Sequence, residues 1–307
     1  MVVERVYIVP LQSAASLLGK SRCGSKAYEL SRLLEKGYPV PDGVVVTQNA
    51  YRPSCMGADA TARSVNERWN WVTPEVLEQI IPAFGKLIEV YGAVSVRSSC
   101  SAEDLTEASF AGQYETVLNV QTKDELLHAL QVCWGSVSDG RVRAYAREKQ
   151  VDLCDCAMSV VIQGMVQADQ AGVAFSRHPV TTADTVFVNA SYGLGEAVVS
   201  GIVTPDAFEY VKATGELVKE LGDKEVQVVR AASGVQEQAV PLVHQMMYCL
   251  TDAEVLELCE LVVHLEGEYD AAIDVEFAFA QGRLYLLQVR PITTTQERTV
   301  YGEVPIQ

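Results

Sequence analysis

The chain has little with which to bind zinc or cross a membrane. Its eight cysteines include no Cys-x-x-Cys pair. The two closest, Cys154 and Cys156, flank one aspartate, and no histidine cluster joins them, which argues against a zinc site. Cysteines used in this way fit a reduced chain and a cytoplasmic location. No apolar run reaches the ~18 residues of a membrane-spanning helix. The N-terminus shows no clean apolar stretch behind a basic region, and Pro10 interrupts it, so no signal peptide is expected. Positive charge is also scarce: 24 Lys and Arg stand against 40 Asp and Glu, a formal net charge of −16. Nucleic-acid binding and attachment to anionic membranes both rest on basic patches, so neither partner is expected. Any phosphate site must then depend on a few placed cations. Internal repeats and low-complexity tracts are missing as well.

What is present is enough apolar material for a large core. The chain has 307 residues, 49% of them hydrophobic, which suits two lobes. Apolar spacing predicts helices over 25–36, 75–91, 124–148 and 252–268. In the last of these, Val255, Leu258, Val262 and Leu265 recur at helical intervals. Strands are expected near 44–47, 93–97, 114–120, 158–166, 171–176, 185–190, 206–212, 273–280 and 283–289. The stretch 214–250 has weak periodicity and many polar residues, and reads as a mobile excursion of the second lobe.

Three segments carry candidate chemistry. In the first, the apolar run at Val94 ends in Arg97-Ser98-Ser99, then an acidic loop and the small-residue turn Ser109-Phe110-Ala111-Gly112. An arginine keeps its charge and grips phosphate oxygens in a fork, and short hydroxyls beside it add donors. The same residues can equally form a turn that caps a strand. In the second, Gly24-Ser25-Lys26 opens a helix on which Ala27, Leu30 and Leu34 fall at i, i+3 and i+7 with Leu33 beside them, and Gly37 is its expected stop. A helix N-terminus with a lysine in its first turn is an anion site, though a lone lysine is more often solvated. In the third, Asp274 and Glu276 share one face of a strand that turns at Gln281-Gly282, and Gln288 and Arg290 share one face of the returning strand. Two carboxylates and an amide oxygen beside an arginine make a hard-oxygen Mg²⁺ site next to a phosphate ligand. The alternative is a surface hairpin with a cross-strand ion pair such as Glu276–Arg290.

Together these segments resemble the N-terminal nucleotide-binding domain of the phosphoenolpyruvate synthase and pyruvate phosphate dikinase family, shared by rifampin phosphotransferase and the phenylphosphate synthases. Nine markers stand in the family's order from Gly24 to Pro291. They are the Gly-x-Lys start at Lys26, Val-Arg-Ser-Ser at Arg97, Ser109 to Gly112, and Ile162-Gln163-Gly164-Met165-Val166. Gly172 to Ser176, Gly193-Leu194-Gly195-Glu196, Thr204-Pro205-Asp206, Asp274-Val275-Glu276 and Gln288-Val289-Arg290-Pro291 complete the set. The resemblance implies an α+β, ATP-grasp-like fold of two lobes, 1–165 and 166–307, enclosing ATP. Lys26, Arg97 and Arg290 would hold the phosphates and serve catalysis. Glu276 and Gln288 would hold Mg²⁺, with Asp274 assisting the metal or orienting Glu276. Gln163 and Met165 would border the adenine, although Met165 is also an ordinary core residue. Ser109, Gly112 and Glu196 would lie in the nucleotide site.

Several positions depart from the family pattern. Ser25 stands where glycine is common, Cys100 where alanine is usual, Gly164 where a basic residue is frequent, and Asp270-Ala271-Ala272 where Gly and Pro often occur. The segment between Thr47 and the helix near Pro74 is shorter than in the synthases. None of these changes removes a phosphate or metal ligand. What is missing is the phosphoacceptor. The family passes phosphate through a histidine on a separate swivelling domain, and none of His128, His178, His244 and His264 has that context. His178 reads as structural or as rimming the cleft. The expectation is therefore an ATP-binding domain or subunit that hands the β-phosphoryl of ATP to a histidine on a partner, leaving AMP and phosphate. The final acceptor is a small molecule, with pyruvate, a phenol and an antibiotic all open. The competing expectation is a regulatory module that binds nucleotide without turnover.

Overall fold

The computed structural model describes residues 6–50, 72–101, 104–105, 108–109, 115–136 and 158–292. The chain divides into two compact units, Met1–Met165 and Val166–Gln307. Each is an antiparallel sheet with helices packed on it, which is an α+β architecture.

Unit 1 begins with β1 (Ile8–Pro10) and three helices, α1 (Ala14–Leu18), α2 (Lys20–Cys23) and α3 (Ser25–Glu35). It continues through β2 (Gly43–Val46), α4 (Pro74–Tyr91), β3 (Val94–Cys100), β4 (Asp104–Leu105), β5 (Ala108–Ser109), β6 (Thr116–Val120), α5 (Lys123–Gly135) and β7 (Met158–Gly164). The main sheet runs in the order β1-β2-β7-β3-β6, and β4 and β5 pair separately. Strand β3 is buried along its whole length, because it lies between β7 and β6 and packs under α5. The core between α4, α5 and the sheet gathers Ile80, Phe84, Val96, Leu127, Trp134 and Ile162. Trp134 buries its ring fully and satisfies its indole N–H on Met158 O, 3.2 Å away.

Helix α3 turns Ala27, Leu30 and Leu33 into the core and leaves Leu34 half-buried at the edge of the same stripe. Gly37 stops the helix at φ +82°, donating to Leu34 O while Tyr38 N donates to Leu33 O. That left-handed turn is why glycine stands there. The helix expected over 124–148 is described as Lys123–Gly135, and residues 137–157, with Cys154 and Cys156, lie outside the described residues, as does Gly112.

Unit 2 contains β8 (Gln170–Phe175), β9 (Thr185–Tyr192), α6 (Glu196–Val199), β10 (Asp206–Val211), β11 (Glu216–Glu220), β12 (Val226–Arg230), β13 (Val235–Ala239), α7 (Leu242–Gln245), α8 (Asp252–Tyr269), β14 (Ile273–Ala280) and β15 (Arg283–Pro291). Its six-stranded sheet runs β11-β10-β9-β8-β14-β15. Helix α8 starts with a reciprocal Thr251/Glu254 capping box and packs on this sheet. Val255, Leu258, Val262 and Leu265 are fully buried, as the spacing predicts, and so are Ile273, Val275, Phe277 and Phe279 of β14. Burying each such side chain is worth roughly 1.5–3 kcal/mol, so this interface anchors the unit.

The stretch 214–250 is more regular than its composition suggests, with three strands and a short helix. Among the described residues no helix is long and apolar enough to cross a membrane.

Candidate functional site

Arg97 sits in the middle of β3, only 8% exposed. A guanidinium held that deep needs polar company. Its Nη1 donates to Gln163 Oε1 at 3.3 Å, and Gln163 Nε2 donates to Pro41 O at 3.1 Å. The register explains the contact. Ser95 of β3 lies opposite Gln163 of β7, and Arg97 is two residues along the same face. Gln163 is thus a buried bracket whose amide is used at both ends.

The two serines after Arg97 do not add free donors, as the sequence suggested. Both are fully buried. Ser98 Oγ donates to Glu115 O at 2.9 Å. Ser99 Oγ donates to Cys23 O at 2.8 Å and accepts from Ala27 N at 3.0 Å. Their hydroxyls are consumed in holding the strand to its neighbours.

Lys26 lies in the first turn of α3, half-buried, with Nζ donating to Ser98 O at 2.9 Å. Its ammonium is therefore held at the carbonyl next to Arg97. Gly24 makes this approach possible. It adopts φ +81°, and a Cβ there would lie 2.2 Å from Ser99 O. Ser25, beside it, is accommodated with its side chain buried.

Met165 is 5% exposed, and its sulfur accepts from Asn119 N at 3.0 Å. Asn119 has a left-handed φ of +57° at an irregularity in the β3–β6 pairing. Met165 therefore has a packing role, whatever it offers a base. Ser109 closes β5, paired with Asp104.

In unit 2 the β14–β15 hairpin places Asp274 opposite Arg290 and Glu276 opposite Gln288. All four share a face, as the alternation predicts. An ion pair on this hairpin is Asp274–Arg290, with Nε 2.7 Å from each carboxylate oxygen. Asp274 is thus engaged by a cation before any metal is considered. The register then shifts: Phe277 lies opposite Leu286, and Leu287 stands between as an extra residue. Among the described residues no group of three or more His, Cys, Asp and Glu gathers to hold a metal. Glu276 and Gln288 nonetheless present two hard oxygen donors on adjacent strands. That set fits Mg²⁺, which is commonly held by one or two protein oxygens together with waters and substrate phosphates.

The Gly193-Leu194-Gly195 turn has a structural cause. Gly193 takes φ +77°, and a Cβ on it would lie 2.4 Å from Val228 O. Leu194 N donates to that same carbonyl at 2.8 Å. The close backbone approach is therefore made by β12 of the same unit. Glu196 follows, exposed at the start of α6, with partial desolvation holding its carboxyl above the usual carboxylate range. His178 is structural: Nδ1 accepts from Val180 N and Thr181 N, both at 3.2 Å, and its ring packs 4.6 Å from Phe187.

One pairing is not foreshadowed by the sequence patterns. Asp206, of the Thr-Pro-Asp marker, pairs with Lys224, and both side chains are fully buried. Asp206 also accepts from Gly222 N at 2.9 Å and Cys249 N at 2.7 Å, while Lys224 donates to Gly222 O at 2.8 Å. Two charges 18 residues apart give no local signal of such a pairing.

These features describe an α+β protein that presents cations on one sheet and an acid–amide–arginine hairpin on another. Residues 68–304 match the family described as pyruvate phosphate dikinase, AMP/ATP-binding domain, and the chain belongs to that family. It is 40% identical over 279 residues to a protein of Bacillus subtilis named uncharacterized phosphotransferase YvkC, covering 89% of this chain and 34% of that protein. A probable phosphoenolpyruvate synthase of Methanothermobacter thermautotrophicus is 34% identical, over 92% of this chain and 45% of its own length. The prodigiosin synthesizing transferase PigC of Serratia marcescens is also 34% identical, over 92% of this chain and 33% of its own. The chain thus spans between a third and a half of these relatives. Lys26 precedes the span matched to the family. Among solved structures, a D-alanine–D-alanine ligase of Bacillus anthracis complexed with ATP aligns at a TM-score of 0.36 and 10% identity, over 88% of this chain and 56% of that one. A score of that size does not establish a shared fold.

Proposed function

We propose that this chain is the ATP-binding part of a dikinase-type phosphotransferase, with its two units acting as ATP-grasp-like lobes. The observation that supports this best is the survival of every charged element of the family pattern in an ordered setting. Lys26 and Arg97 are held at neighbouring points of β3, and Glu276, Gln288 and Arg290 occupy one face of a hairpin. In this reading Lys26, Arg97 and Arg290 bind the phosphate chain. Gln163 and Met165 border the base, and Ser109, Gly112 and Glu196 line the nucleotide site. Glu276 and Gln288 hold Mg²⁺, with Asp274 keeping Arg290 in place beside them. The metal, when bound, neutralises charge on the phosphate oxygens. The protein's part is positioning and charge stabilisation, so this chain needs no nucleophile of its own.

The β-phosphoryl would pass to a histidine on a partner domain or subunit, leaving AMP, with the γ-phosphate released as phosphate. The names of the relatives support a phosphotransferase and leave the final acceptor open among small molecules. A cytoplasmic location is part of the same proposal. Its test is nucleotide chromatography. The chain alone, with Mg·ATP, should bind nucleotide by calorimetry yet form little AMP. A partner carrying the phosphohistidine domain should start conversion to AMP and take label from β-labelled ATP only. Stoichiometric ADP from the chain alone with a small acceptor rejects this function.

A further inference from the structure

The helix that carries Lys26 has no cap of its own. Its N-cap residue is Gly24, which has no side chain to meet the first N–H groups. Helix starts ordinarily use a Ser, Thr, Asp or Asn at that place. Here the oxygen comes from another element. Ser99 of β3, 72 residues away, accepts from Ala27 N at 3.0 Å and donates to Cys23 O, the last residue of α2, at 2.8 Å. One hydroxyl therefore ties the end of one helix and the start of the next to the strand. Gly24 removes the side chain that would keep them apart, since a Cβ would lie 2.2 Å from Ser99 O. Lys26 falls between the glycine and the capped N–H, and Nζ donates to Ser98 O at 2.9 Å. Arg97 is two residues back on the same strand.

We propose that Ser99 is a positioning residue for Lys26: a cap supplied by the strand, which locks the start of α3 to β3 so that Lys26 and Arg97 meet the phosphates as one fixed pair of charges. The inference rests on the nucleotide-binding reading above and adds a residue that works through Lys26 and not on the phosphate. Without the hydroxyl, a buried carbonyl and a buried N–H lose their partner, and the first turn of α3 is free to shift. The ammonium then pays its own ordering cost when ATP binds.

The test is a set of dissociation constants for Mg·ATP, measured by calorimetry on the full chain. Ser99→Ala should weaken binding by about five- to tenfold, the scale of a lost helix cap. On a Lys26→Ala background the same change should cost less than about twofold, because the residue it acts through is gone. On an Arg290→Ala background, whose cation belongs to unit 2, the full loss should persist. An equal loss with and without Lys26 shows a merely structural role and overturns the inference. So does unchanged affinity in Ser99→Ala while the wild type binds. A wild-type chain that binds no Mg·ATP overturns the nucleotide reading first, and this inference with it. Should Ser99→Ala not fold, Ser99→Cys keeps the volume and a weaker hydrogen-bonding group, and the same cycle on that variant supports or overturns the inference by the same outcomes.

Discussion

Replacing Lys224 by methionine tests the buried charge pair of unit 2. Lys224 and Asp206 are both fully buried. The substitution keeps much of the side chain's length and removes its charge. Asp206 would keep its bonds from Gly222 N and Cys249 N but lose its counter-ion. Removing one partner of a buried pair typically costs roughly 3–5 kcal/mol. Because two N–H donors remain, the low end applies, about 3 kcal/mol, which is more than about a hundredfold in an opening equilibrium. All three tryptophans, Trp69, Trp71 and Trp134, belong to unit 1, so unit 2 has no tryptophan of its own to report on it. Hydrogen exchange of peptides covering β10 and β12 is the suitable assay. Their protection should fall by that factor in Lys224→Met. A second change, Asp206→Leu, should restore part of it by removing the stranded carboxylate. A loss below about 1 kcal/mol, or a double variant worse than the sum of its parts, refutes the argument.

Three further outcomes are expected. Glu276→Ala should raise the Mg²⁺ concentration needed for nucleotide binding by at least about tenfold, with metal-free binding little changed and Gln288→Ala milder, as a magnesium titration would show. Arg97→Lys should lose about 2 kcal/mol of transition-state stabilisation, roughly thirtyfold in turnover with the partner present, since the charge stays and the fork is lost; wild-type rates would show that charge alone matters. Burial pushes the Cys23 and Cys133 thiols up from 9.0 to about 11. The folded chain thus holds protons that the unfolded chain releases. Stability from this source is complete below about pH 9 and is lost as the pH rises towards about 11, which denaturant titrations at stepped pH would reveal.

Much of this was legible in the residues because it is local and periodic. The stripe of α8 and the alternation of β14 are repeated patterns of apolar side chains, and the pairing of Gln288 and Arg290 with the two acids follows from a tight turn. The strands β11 to β13 are hidden in the sequence because their few apolar residues do not mark a consistently buried face. Glu216, Val218 and Glu220 are all exposed on one face of β11. Ser98 and Ser99 looked like phosphate donors because sequence does not say which way a hydroxyl points. Only their burial shows that the backbone uses them. The Asp274–Arg290 pair is not singled out by the sequence, because alternation puts both acids on the face of the guanidinium and only the register sets Asp274 directly opposite it.

The extra residue at Leu287 makes one strand serve two purposes. Leu284, Leu286, Gln288 and Arg290 all carry even numbers, so an unbroken strand would line them up on one side. Yet Leu284 and Leu286 stand opposite Phe279 and Phe277 in the core, while Gln288 and Arg290 stand opposite Glu276 and Asp274. The count changes from even to odd at Leu287. Drawing Leu287 into the ladder as a paired residue would restore strict alternation and force a choice. Either the leucines keep the core and the amide and guanidinium turn inward with them, or the acids keep their partners and two leucines face outward. In a strand of nine residues, one insertion separates a segment that can only pack from one that packs and also presents charge.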